Sequence, residues 1–164
     1  MTEFERVIVQ SFNVFFEEKK FKGVAYRLKQ HRFTPQFLDV LVDSLDPDYY
    51  MGIECKSISV DKGAKALYFT QHFTTDKNGV HQIERISDFL LRSGRNGFLA
   101  VELKMGVGRT RQAYMIPWTE LYRKFIKEGI LKISVEEIQE YPRIEREGNK
   151  YLIDPISWQK SRLV

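Results

Sequence analysis

The chain has 164 residues, 43% of them hydrophobic and 13% aromatic, with 26 basic against 22 acidic side chains and a formal net charge of +4. That size and apolar content suit one compact domain, a core over about residues 3–130 with an extension over about 131–164, and leave little room for a second domain. No apolar run approaches the roughly 18 residues that span a bilayer, the acids in "MTEFERVIVQSF" are wrong for a signal peptide, and so small a net charge does not by itself indicate nucleic acid; a soluble, intracellular protein is expected.

Taken in chain order, residues 3 to about 18 are predicted to be helical, because Phe4, Ile8, Phe12, Phe15 and Phe16 recur at helical spacing. Strands follow over about 37–43 and 50–58, separated by the turn-forming "SLDPD", which suggests an antiparallel hairpin. "SVDKGAKALYFTQHFTTDKNG" reads as a long excursion with a short strand at "ALYFTQHF", and a helix over about 80–92 ends at Gly94. "GFLAVELK" and "QAYMIPW" read as strands joined by "MGVGRTR"; "TELYRKFIKEG" reads as a helix with Thr119 as N-cap and Gly129 at its end. The tail is expected to hold a helical turn capped by Ser134 and Glu137 and a hairpin around "EGNK". This order predicts an α/β fold with a central mixed sheet flanked by helices.

The second strand poses a chemical question. In "YMGIECKSIS" Glu54 and Lys56 sit two apart and share a face of an otherwise apolar strand. A same-face salt bridge would account for them, and so would a metal-dependent phosphodiesterase site. If the hairpin turns between Asp46 and Pro47, Asp39 lies opposite Glu54, and two carboxylates so placed repel unless a cation lies between them. Asp43 would lie roughly 13 Å along the strand from that point, too far to serve instead. "VELK" repeats the spacing with Glu102 and Lys104, so a lone Glu-x-Lys is weak; Glu102, however, has no acid on a preceding adjacent strand.

Glu5 falls inside the apolar arc of the first helix, where an unpaired charge is costly. Thr2 and Glu5 also have capping-box spacing, and helix geometry leaves the two readings level. Gln82 shares a stripe with Ile86 and Phe89, as a core glutamine or a site residue would. Cys55 is expected to be a small buried filler, and His31, His72 and His81 are too scattered for a zinc pattern. Between residues 92 and 132 nine basic side chains face three acids, a stretch suited either to a solvated face or to a phosphate backbone.

"FER", then "LDVLV", "IECK", "QIERISDF" and "FLAVE", in that order over residues 3 to about 118, resemble the archaeal Holliday junction resolvases within the PD-(D/E)XK nuclease superfamily. The resemblance implies a restriction-endonuclease-like core and an Mg²⁺-dependent (or Mn²⁺-dependent) endonuclease that hydrolyses phosphodiester bonds at four-way DNA junctions. It also implies a homodimer, cytoplasmic and nucleoid-associated, acting in DNA recombination and repair. By motif position, Glu5 would be the helix carboxylate, Asp39 and Glu54 metal ligands joined by the Cys55 carbonyl, Lys56 the lysine on the attacking water or phosphate, and Gln82 the helix glutamine. Lys104, Arg109 and Arg111 would contact DNA, although the two glycines of "GVGRTR" suit a plain hairpin turn as well as a phosphate cradle. Leu38 stands where the superfamily name has proline, and both the 59–79 excursion and the tail exceed the compact archaeal enzymes. Two alternatives stay open: a restriction-like or repair endonuclease acting on other DNA, and a non-catalytic DNA-binding module.

Overall fold

The computed structural model describes residues 2–28 and 38–159. The start of the strand expected at 37, and His31, lie outside them. Helix α1 (Glu3–Glu18) leads into β1 (Gly23–Arg27), a strand the sequence reading missed, and then into β2 (Val40–Ser44) and β3 (Met51–Ser59). The excursion holds β4 (Ala66–Tyr68) and one turn of helix, α2 (Phe69–His72). After it come α3 (Gln82–Ser93), β5 (Asn96–Lys104) and β6 (Gln112–Pro117). Next are α4 (Trp118–Tyr122), β7 (Lys132–Ser134), α5 (Val135–Ile138), the ribbon β8 (Arg146–Glu147) and β9 (Lys150–Tyr151), and α6 (Pro155–Trp158).

The five-stranded sheet runs β1-β2-β3-β5-β6, with β3 and β5 parallel and every other pair antiparallel. The mixed sheet flanked by helices is therefore the architecture expected. Alternation along β3 sorts its side chains: Met51, Ile53 and Cys55 join Phe4, Ile8, Phe12 and Phe16 of α1 in one cluster, which Tyr151 and Trp158 of the tail complete. Ile58 points the other way, into a cluster with Ile83, Ile86 and Leu90 of α3 and Leu121 of α4. Glu54 and Lys56 share the Ile58 face, as a period of two requires.

Close approach of α3 depends on two glycines. Gly52 and Gly97 are register partners on β3 and β5. A Cβ on Gly97 would lie 2.3 Å from Leu90 Cδ1 and 2.8 Å from Trp118 Cβ, and one on Gly52 would lie 2.5 Å from Leu38 Cδ1. Side chains there would lift the helix off the sheet.

One boundary differs from expectation. Thr119 lies inside α4, which begins at Trp118 after Pro117, and Arg123–Lys127 continue it as a π-helical turn before Gly129. Trp118 is buried and its indole N–H donates to Ser87 Oγ at 2.9 Å, so tertiary anchoring of the ring overrides the local preference for a threonine cap.

Candidate active site

The β2–β3 hairpin has the register that its turn predicts. Val40 faces Ile53, Leu41 faces Gly52 and Val42 faces Met51, so one further step brings Asp39 to Glu54. The ladder stops at that step. The Asp39 carboxylate instead accepts the Cys55 N–H at 2.9 Å, while the Asp39 carbonyl accepts the Leu28 N–H at 3.1 Å. A residue's N–H and C=O leave a strand on the same side, so the Cys55 carbonyl also faces the gap where β2 leaves β3. Asp43 is occupied elsewhere, accepting from Tyr26 Oη at 2.7 Å and from Arg95 at 2.8 Å.

Glu54 is 2% exposed. Burial pushes its carboxyl well above the ordinary value; the neighbouring Asp39 carboxylate pushes the same way, and Lys56 opposes both. Lys56 Nζ lies 3.6 Å from Glu54 Oε2, so the same-face ion pair exists, and the ammonium also lies 4.8 Å from the Phe73 ring centre. The Cys55 thiol is buried and is also raised, first by desolvation and then by Asp39 and Glu54. It behaves as the expected inert filler, and only its backbone faces the site.

Gln82 opens α3 and donates from Nε2 to Glu54 Oε2 at 2.6 Å. Its orientation is held from the excursion: Gln82 Oε1 accepts Thr74 N–H at 3.1 Å, and Gln82 N–H donates to the Thr74 carbonyl at 2.8 Å. His81 caps the same helix end through Nδ1, which accepts the Ile83 N–H at 3.1 Å, while Nε2 lies 2.9 Å from the Phe69 carbonyl. Histidine is therefore structural here, and the excursion is the element that aims the glutamine amide. Thr74 was not found from the sequence, because nothing in a loop's composition marks which threonine will meet a helix terminus.

Glu5 takes part in the helix cap through its backbone, while its carboxylate turns to a partner that neither reading of the sequence named. Its N–H donates to Thr2 Oγ1 at 3.2 Å, so Thr2 caps α1. Its carboxylate, in a residue only 7% exposed, accepts from Arg27 Nε at 3.0 Å. Arg27 ends β1 opposite Val40, one residue from Asp39. It could not be found without β1.

The second Glu-x-Lys lies on the other face of the sheet. Leu99, Val101 and Leu103 of β5 join the α3 cluster, so Glu102 points toward α1. It accepts from Ser57 Oγ at 3.0 Å and from Arg111 Nη1 at 3.4 Å. Arg111 also lies 3.8 Å from Glu3. Of the other basic residues between 92 and 132, Arg92, Arg95, Arg123 and Lys124 are ion-paired, with Asp88, Asp43, Glu120 and Glu128, and Glu137 respectively. Lys104, the exposed Arg109, Lys127 and Lys132 have no ion-pair partner among the described residues. For Arg92, Arg95 and Lys124 the partner acid lies outside that stretch of sequence, so the ion pairs there were not legible from the window alone. Among the described residues no helix is long and apolar enough to cross a membrane.

Neither a scan of protein-family models nor a search of curated proteins gives a match. Among solved structures, the chain is similar to that of Hjc, a Holliday junction resolvase from the archaeal hyperthermophile Archaeoglobus fulgidus, at 19% identity over 84% of this chain and 89% of that chain, with a TM-score of 0.49.

Proposed function

We propose that this protein is a metal-dependent endodeoxyribonuclease of the PD-(D/E)XK type, with a restriction-endonuclease-like core, acting on branched DNA such as four-way junctions as a homodimer. One observation carries the reading: two carboxylates, Asp39 and Glu54, meet where the β2–β3 ladder ends, with Lys56 and Gln82 both on Glu54. Burial first, and then the neighbouring Asp39, hold the Glu54 carboxyl above its ordinary value, and a cation between the two acids would relieve that repulsion. Among the described residues no three His, Cys, Asp or Glu side chains gather as a ligand set. The fit therefore rests on two carboxylates and the Cys55 carbonyl, an all-oxygen donor set suited to Mg²⁺ or Mn²⁺.

Asp39, Glu54 and the Cys55 carbonyl would hold that ion. When bound, it supplies positive charge for the phosphate and lowers the pKa of a water. Lys56, one alternate position beyond Glu54, presents an ammonium to the phosphate or to the attacking water. Gln82 fixes the Glu54 carboxylate, and Glu5 fixes Arg27 beside Asp39, where a guanidinium suits a phosphate oxygen. Lys104 and Arg109 supply contacts to the DNA backbone.

The test is Mg²⁺-dependent cleavage of a four-way junction compared with linear duplex of the same sequence. Glu54→Gln and Asp39→Asn are each expected to abolish cleavage while DNA affinity stays near that of the parent, since the backbone contacts lie elsewhere. Cleavage at parental rates by either variant removes the site assignment. Equal cleavage of junction and duplex keeps the nuclease and removes its preference for branches.

A further inference from the structure

On the α1 face of the sheet, away from Glu54, lies a cavity of about 400 Å³ walled by Glu3, Glu102, Arg109, Arg111, Arg146 and Tyr151. Its volume lies in the range of small-molecule sites, roughly 300–1,000 Å³. Glu102 is 3% exposed, and only one of its oxygens is used by the protein: Oε1 receives both Ser57 Oγ at 3.0 Å and Arg111 Nη1 at 3.4 Å. Oε2 has no hydrogen-bond donor among the described residues. Glu102 lines the cavity, and an acceptor there without a protein donor can take an N–H from a ligand.

The same walls carry unused donors. Arg109 has no ion-pair partner among the described residues, and Arg146 spends Nε on the Gly148 carbonyl at 3.2 Å, which leaves its terminal nitrogens. The ligand that satisfies both ends has an amino group at one and a phosphate at the other. Ser57, which anchors Glu102, directly follows Lys56 on β3. The cavity and the candidate cleavage site therefore lie on opposite faces of β3.

We propose that this cavity receives one unstacked nucleotide of the DNA substrate and selects a base that carries an exocyclic amino group, cytosine over thymine. The cytosine N4 amino group donates to Glu102 Oε2, and the nucleotide's phosphate accepts from Arg109 and Arg146. Thymine presents O4 at the equivalent position, an acceptor facing a carboxylate, and is disfavoured. This rests on the reading of the protein as a DNA enzyme.

The test titrates the metal-free, ¹⁵N-labelled full chain with dCMP and with dTMP. The expected result is tighter binding of dCMP by about fivefold or more, the lower end of what one base-reading contact discriminates, with amide shifts centred on Glu102 and on residues 146–151. In Glu102→Gln the preference disappears. Arg146→Ala, on the exposed ribbon, weakens both nucleotides alike and keeps the preference; should Glu102→Gln fail to fold, the parent and Arg146→Ala still decide. Equal affinities in the parent chain, no saturable binding of either nucleotide, or shifts confined to the Asp39 and Glu54 face would each overturn the proposal. A protein that cleaves DNA yet binds both nucleotides equally refutes the cavity alone, whereas one that selects dCMP yet cleaves nothing refutes the nuclease reading alone.

Discussion

Glu5 shows how one residue can answer two local rules at once. Its N–H belongs to the helix cap and its carboxylate to Arg27, so its effect on the site runs through the guanidinium. If so, the two side chains act as a unit and their mutations do not add. Glu5→Gln and Arg27→Ala should each lower the cleavage rate, and the double variant should be no slower than the worse single one. Cleavage rates measured around that four-protein cycle check this, and full additivity would separate the residues. Gln82 is a second case, because its amide is oriented by Thr74 from the excursion and not by its own helix. Such a partner orients a ligand without being one.

At the scale of elements, the helix α3 reaches Glu54 because the sheet beneath it has no side chains at Gly52 and Gly97. Leu90 occupies that space. Gly97→Ala is expected to destabilise the protein by about 1–3 kcal/mol, the usual cost of overpacking a core, since the clash is with the Trp118 Cβ as well as with a flexible leucine tip. Chemical denaturation of the purified variant measures it, and an unchanged midpoint would mean that α3 sits less tightly than the contacts require. The excursion is stitched to the rest by the two-stranded pairing of β4 with β7, Leu67 opposite Ile133. That pairing ties residues far apart in sequence, which is why a loop-like composition could still hold Thr74 in register with Gln82.

For the molecule as a whole, the buried Glu54 makes stability depend on pH in a direction that can be worked out. Its folded-state carboxyl binds a proton more tightly than it does in the unfolded chain, so the metal-free protein is stabilised at low pH and loses that contribution as pH rises through the folded value. Thermal unfolding of the metal-free chain should therefore show a lower Tm as pH climbs above the ordinary glutamate range, and Glu54→Gln should flatten that trend. Added Mg²⁺ should reverse it, raising Tm more at higher pH because the ligand must be deprotonated. The charge pattern makes another distinction. Arg109→Ala should reduce the salt dependence of DNA binding by about one counterion, whereas Arg111→Ala should mainly cost stability, since it leaves the buried Glu102 with only Ser57. Equal loss of salt slope in both variants would contradict this division.

The sequence by itself determined the parts that short-range rules govern. Helical spacing of the phenylalanines set α1, the alternation and length of the "IECK" segment set β3, and the turn at Asp46 and Pro47 set a register that brings Asp39 level with Glu54. A hairpin's pairing follows from its turn because the connection is too short to allow another. Only the tertiary structure decided which partners distant segments bring. β1 was invisible because its five residues, Gly23–Arg27, carry no clean alternation and become a strand only by pairing with β2. Arg27, Thr74 and the acids that neutralise Arg95 and Lys124 were missed for the same reason. An ion pair or an aimed amide depends on three-dimensional distance, and no window along the chain holds that distance when its partners are separated by long stretches of sequence.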